Sequence, residues 1–130
     1  LVKECIAAGA KSIDCKELNP EFCKELRKFS IAGGIGVENF DFLNVHPQRN
    51  YTRVVMNPPF TKNQWLKHLF HAYNFLVPGG KLVAILPDSR TNAKLVDFLK
   101  DKDYVIRAVE DGAFKEAGTM VKVIILEINR

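Results

Sequence analysis

A carboxamide, two prolines and an aromatic ring stand in series at Asn57-Pro58-Pro59-Phe60, directly after the apolar run Val54-Val55-Met56. That order suits the capture of a planar amine. Each proline fixes φ at roughly −65° and lacks a backbone donor, and a residue before proline is kept out of the helical region. The Asn57 side chain and the carbonyls of Asn57 and Pro58 can therefore face a cleft instead of a helix or a ladder. An amine on a flat heterocycle or an amide could donate one hydrogen to the Asn57 oxygen and the other to the Pro58 carbonyl, with Phe60 as a stacking face. Its lone pair would then be aligned for in-line attack on an electrophilic carbon. The same four residues also suit a plain strand-ending turn, so the surrounding elements must carry the distinction.

Those elements alternate short β-type runs with helical patterns, which predicts an α/β domain. Leu1 to Ala8 reads as a helix closed by Gly9, and Ser12 to Cys15 as a short strand. Asn19 and Pro20 are an N-cap and first-turn proline for a helix with Phe22, Cys23, Leu26 and Phe29 on one face. After Gly33, Gly34 and Gly36, a strand is expected over Val37 to Leu43, and another over Arg53 to Asn57. Gln64 to Leu76 has helical spacing with Trp65, Leu69, Ala72 and Leu76 inward. Pro78-Gly79-Gly80 predicts a sharp turn into the apolar strand Lys81 to Leu86, followed by a helix over Asn92 to Lys100. Tyr104 to Val109 and Val121 to Ile128 close the chain as an antiparallel pair joined by a loop over Asp111 to Thr119.

The 130 residues, 47% hydrophobic, predict one domain with a real core. No long unbroken apolar run and no leader pattern is present, so the expected location is the cytoplasm, away from membranes. Cys5, Cys15 and Cys23 form no C-x-x-C pair and have no histidine at metal spacing, so they read as reduced thiols and no metal site is expected. His68 and His71, three apart without a carboxylate, are assigned no chemistry. The net charge of +4 allows an acidic partner. Lys62, Lys67, Arg90 and Lys94 could flank a nucleic-acid groove, though a solvated face explains them equally simply.

Met56-Asn57-Pro58-Pro59-Phe60, a following helix, and then Leu76-Val77-Pro78-Gly79-Gly80-Lys81-Leu82 together resemble class I S-adenosylmethionine-dependent methyltransferases of the amino-methylating group. The likeness is to phage and bacterial adenine-N6 DNA methylases and spans nearly the whole chain. It implies a Rossmann-like, mostly parallel, doubly wound sheet with an antiparallel C-terminal strand. It also implies roles: Glu17, in Ser12 to Pro20, takes the cofactor's ribose hydroxyls; Asp41, in Asn39-Phe40-Asp41-Phe42-Leu43, accepts from its adenine amine; Phe42 lines that ring. Asn57 touches both cofactor and target, and Asn57, Pro58 and Phe60 carry the chemistry. Gly112-Ala113-Phe114 and Ala117-Gly118-Thr119 resemble the loop before the family's last strand.

The family's first strand and glycine-rich loop have no counterpart here, because Gly33, Gly34 and Gly36 precede a strand and not a helix. The expectation is a single, N-terminally truncated methyltransferase domain over residues 1–130. The expected cofactor is S-adenosyl-L-methionine and the expected substrate DNA. An RNA base or a protein glutamine amide is the alternative, as is a non-catalytic binding domain completed by a second copy or a complementing chain. An open α/β sheet would gather Glu17, Asp41 and Asn57 at the carboxyl ends of its strands.

Overall fold

Asn19 starts the first well-defined helix by a local device. Its Oδ1 accepts the Glu21 N–H at 2.9 Å, and Pro20 fills the first helical position, where no donor is needed. The computed structural model describes residues 1–29, 31, 33–109 and 122–130, in two units, Leu1–His46 and Pro47–Arg130. The first unit holds α1 (Val2–Ala7), β1 (Ile13–Glu17), α2 (Pro20–Leu26) and β2 (Ile35–Asn39). β1 and β2 run parallel, from Ile13 opposite Ile35 to Glu17 opposite Asn39. Cys23 is the fully buried residue of α2, and its thiol donates to the Glu17 carbonyl at 3.3 Å.

Phe22 departs from expectation: it is 59% exposed. Adjacent helical residues point about 100° apart, so a seven-residue helix that seats Cys23 on the two strands turns Phe22 away. Phe29 lies beyond the helix end.

The second unit holds β3 (Tyr51–Met56), α3 (Gln64–Tyr73), β4 (Leu76–Pro87), α4 (Ala93–Leu99), β5 (Asp103–Ala108) and β6 (Val123–Asn129). Its sheet has the order β3-β4-β6-β5. β3 and β4 are parallel, whereas β6 is antiparallel to both β4 and β5. The expected "mostly parallel" sheet is therefore mixed. Of the four strand pairings in the two units, two are parallel and two antiparallel, because β6 inserts between two strands that run the other way. The antiparallel C-terminal strand is as expected. The Asp111 to Thr119 loop, with its two glycine-containing motifs, lies outside the described residues.

Alternation in β4 and β6 sets the core. Leu82, Ala84 and Leu86 on β4, with Ile124, Leu126 and Ile128 on β6, are all fully buried. Trp65, Leu66, Leu69 and Ala72 of α3 are buried with them, as are Leu95 and Leu99 of α4. Each large side chain removed from water in this way contributes about 1.5–3 kcal/mol. Phe98 of α4 joins the helices by packing on Phe70 and Tyr73, with ring centroids 4.6 and 5.5 Å away.

Helix α3 ends at Tyr73, short of the expected Leu76, because the Asn74 amide turns back to the Phe70 carbonyl and Leu76 is already in β4. The anticipated turn at Pro78-Gly79-Gly80 is instead a bulge within β4. Between Tyr51 opposite Leu76 and Arg53 opposite Lys81, β3 spends one residue and β4 spends four. Gly79 takes a φ of +77°, and a Cβ on Gly80 would lie 2.9 Å from the Val77 carbonyl oxygen.

Candidate active site

Because β3 and β4 are parallel and Met56 pairs with Ala84, the segment from Asn57 leaves the sheet at its carboxyl edge, as does the loop after Pro87. Pro58 is buried and anchors the segment, while Asn57 is exposed and Phe60 half-buried. No described residue hydrogen-bonds the Asn57 carboxamide, which leaves both its oxygen and its amide group open to a ligand. The geometry next to it is unusual. Phe60 leads into a single helical turn, Thr61–Asn63, in which Lys62 (φ 51°, ψ 31°) and Asn63 (φ 56°, ψ 25°) are both left-handed. Each such conformation costs a non-glycine residue about 1–2 kcal/mol, and strain of this kind gathers where a loop must hold a set shape. Asparagine tolerates the conformation, but nothing about Lys62 announces it in the sequence.

At the same edge, Asp88, Arg90 and Thr91 line an open depression. Asp88 clamps Arg90 through two parallel bonds, from Nε at 2.9 Å and from a terminal nitrogen at 2.8 Å. The guanidinium beside it holds the Asp88 carboxyl below its ordinary pKa and is itself held above its own. Arg90, one of the four basic residues that could flank a groove, is thus half of an ion pair.

In the first unit, Glu17 ends β1 and Asp41 follows β2 by two residues, so the parallel pairing brings both to one edge of the two strands. Each carboxylate has one local duty. One Glu17 oxygen accepts the Asn19 N–H at 2.7 Å, and one Asp41 oxygen accepts the Leu43 N–H at 3.0 Å, capping the single turn Phe42–Asn44. In both residues the second oxygen has no hydrogen-bond partner among the described residues. The Asn39 amide fixes the strand ends by donating to the carbonyls of Glu17 and Leu18 at 3.0 and 2.7 Å. Leu18 and Phe40, which directly follow the two strands, are 69% and 46% exposed, whereas Phe42 is half-buried. Two carboxylate acceptors and two bare apolar side chains thus share this edge. Leu18 and Phe40 escaped notice in the sequence because exposure does not follow from residue type; their position one step past an acidic or amide strand end was the available signal.

No protein-family model matches the chain, and no curated protein is similar to it in sequence. Solved structures are. An S-adenosylmethionine-dependent methyltransferase of Mesorhizobium loti superposes with a TM-score of 0.72 at 12% identity, over 99% of this chain and 85% of its own. The N-methyltransferase NodS of Bradyrhizobium japonicum WM9, in complex with S-adenosyl-L-homocysteine, gives 0.68 at 14%, over 98% and 71%. The tRNA (m1A58) methyltransferase TrmI of Aquifex aeolicus gives 0.61 at 14%, over 91% and 53%. The chain has a methyltransferase fold. Within that fold, Glu17, Asp41 and Phe42 lie at the carboxyl edge of the first unit, and Asn57, Pro58 and Phe60 at that of the second.

The remaining singled-out residues have local roles. The His68 Nδ1–H donates to the Gln64 carbonyl of its own helix at 2.9 Å, and His71 packs edge-on against Phe75. Among the described residues no three of His, Cys, Asp and Glu could hold a metal ion, and no helix is long and apolar enough to cross a membrane. All three cysteines are free thiols, and only Cys23 is buried. Partial burial and the nearby Asp14 carboxylate push the Cys15 thiol pKa up.

Proposed function

We propose that this chain binds S-adenosyl-L-methionine and directs its methyl group to an exocyclic amine, N6 of adenine in DNA. The observation that carries the reading is the Asn57 carboxamide: exposed, without a hydrogen-bond partner among the described residues, anchored by the buried Pro58 and followed by Phe60 at a strand's carboxyl edge. When bound, the cofactor would supply an electrophilic methyl on a sulfonium. Glu17 would accept from the ribose hydroxyls through its spare oxygen, and Asp41 from the adenine amine, with Phe42 beside the ring. On the substrate side, the Asn57 oxygen and the Pro58 carbonyl would each accept one hydrogen of the target amine, while Phe60 stacks on its ring. Those two bonds fix the nitrogen and raise its electron density along the attack direction. A base in duplex DNA would have to leave the stack to reach Asn57. No strong general base is needed, because the proton becomes acidic once the N–C bond has formed and passes to solvent.

The test is transfer of labelled methyl from S-adenosylmethionine to an adenine-containing DNA duplex, with matched RNA and glutamine-peptide substrates in parallel. Label in N6-methyladenine of DNA supports the reading. Label confined to RNA would move the same chemistry to an RNA base, the alternative that likeness to a tRNA methylase favours. Calorimetric titration that finds no cofactor binding would leave a non-catalytic domain.

A further inference from the structure

Strand β5 borders the four-stranded sheet and, among the described residues, pairs on one side only, with β6. The direction of its backbone groups follows from one bond: the Val109 N–H donates to the Val123 carbonyl at 3.3 Å, continuing the register that sets Ala108 opposite Ile124. Alternation then turns the backbone groups of Asp103, Val105 and Arg107 toward β6, and those of Tyr104 and Ile106 toward the open edge. The side chains along this edge are unusually bare: Tyr104 is 43% and Val105 46% exposed, and Arg107 is exposed as well.

We infer that β5 is a homodimer interface, pairing antiparallel with the β5 of a second copy about a two-fold axis through Val105. The outward groups permit only registers that pair even-numbered residues with even-numbered ones. With Val105 opposite itself, Tyr104 and Ile106 exchange four backbone hydrogen bonds across the axis. Every side-chain pair is then favourable. Asp103 of each copy faces Arg107 of the other, Tyr104 faces Ile106, and Val105 faces Val105. Sliding one copy by two residues either way sets Asp103 against a valine and breaks both charge pairs. Existing contacts leave room for this: Arg107 gives one terminal nitrogen to Glu127 at 2.9 Å, and Asp103 uses one oxygen for the Asn129 amide at 2.6 Å. The occupant is a second copy because Asp103 and Arg107, four residues apart on one face, make the edge complementary to itself. A two-strand contact is small, so the dimer is weak and concentration-dependent.

Sedimentation velocity of the full chain, over micromolar to high micromolar concentrations, should show reversible dimerisation. Arg107→Asp alone, or Asp103→Arg alone, should weaken it by roughly tenfold or more, and the double swap should restore it. A monomer at every concentration, or dimerisation indifferent to both single reversals, overturns the inference. Because the swaps also disturb Glu127 and Asn129, amide hydrogen exchange on the unmodified chain provides a second reading. Protection at Tyr104 and Ile106 should rise with concentration, while Val105 and Arg107, already bonded to β6, stay constant. Equal behaviour of all four amides refutes the pairing.

Discussion

Replacing Asn57 by alanine separates stability from chemistry in a way that few substitutions in this chain can. The carboxamide is exposed and has no hydrogen-bond partner among the described residues. Its removal creates no cavity and strands no buried group, so stability should change by less than about 0.5 kcal/mol, or roughly 2 °C in Tm for a domain of this size. The effect on transfer is far larger. The amine gains positive charge as the new bond forms, and a hydrogen bond to a charged donor is worth about 1.5–3 kcal/mol. Loss of that acceptor should slow transfer by about 10–150-fold, chiefly in kcat, since the bond strengthens on the way to the transition state. Asn57→Asp keeps an acceptor oxygen in place and should retain more activity than Asn57→Ala. Cofactor affinity, followed by calorimetry, should fall far less than transfer does in Asn57→Ala. An alanine variant that transfers methyl within about threefold of the unmodified chain would falsify the role assigned to Asn57.

Glu17→Ala should weaken S-adenosylmethionine binding by about tenfold or more, through loss of a charged acceptor, whereas Glu17→Gln, which keeps one oxygen for the Asn19 N–H, should separate ligand binding from loss of that turn; calorimetry with thermal melts checks both. Leu69, fully buried on α3, should cost about 2–5 kcal/mol as alanine, read as a shift in urea midpoint at unchanged slope. Asn92 accepts the backbone N–H groups of Lys94 and Leu95 at 3.1 and 3.2 Å, so Asn92→Ala should lose about 0.5–2 kcal/mol in the same assay. The Cys15 pKa is raised, so the neutral thiol persists to higher pH than in the unfolded chain; alkylation of Cys15 should stay slow at mildly alkaline pH, accelerate above the ordinary thiol range, and become fast at lower pH once urea unfolds the chain.

What the sequence reveals here follows the range of the interactions involved. Asn19-Pro20 and Asn92 start helices as expected because a cap acts within three residues of itself. The inward stripe of α3 was equally plain, since Trp65, Leu69 and Ala72 recur at helical spacing and all three are buried. Phe22 misled because it lies about 100° from Cys23, and spacing alone does not say which edge of the apolar arc seats on the strands. The Pro78-Gly79-Gly80 bulge could not be read locally, since its shape depends on how β3 takes up one residue against four. The antiparallel pairing of β5 with β6, which follows it, was legible, but the insertion of β6 beside β4, from which α4 and β5 separate it in the chain, is encoded by no local pattern.

The site divides along the same line. That Asn57-Pro58-Pro59-Phe60 ends a strand was legible because prolines constrain their own backbone, and in the structure Asn57 is exposed beside the buried Pro58. The carboxylates were legible by position but not by duty. Glu17 and Asp41 each spend one oxygen holding the turn that follows their own strand. That division has a physical use: a carboxylate tethered at one oxygen has already lost much of its rotamer freedom, so its second oxygen can meet a ligand with less entropy still to lose. Leu18 and Phe40 complete the arrangement, because the Asn39 amide that ties the ends of β1 and β2 together also fixes the backbone from which these two apolar side chains project. Removing that amide should therefore weaken cofactor binding although Glu17, Leu18 and Phe40 stay chemically intact, and Asn39→Ala and Asn39→Asp, which both lack the donor, should each show the loss. Equal affinity in Asn39→Ala and the unmodified chain would show that the strand ends hold their geometry without it.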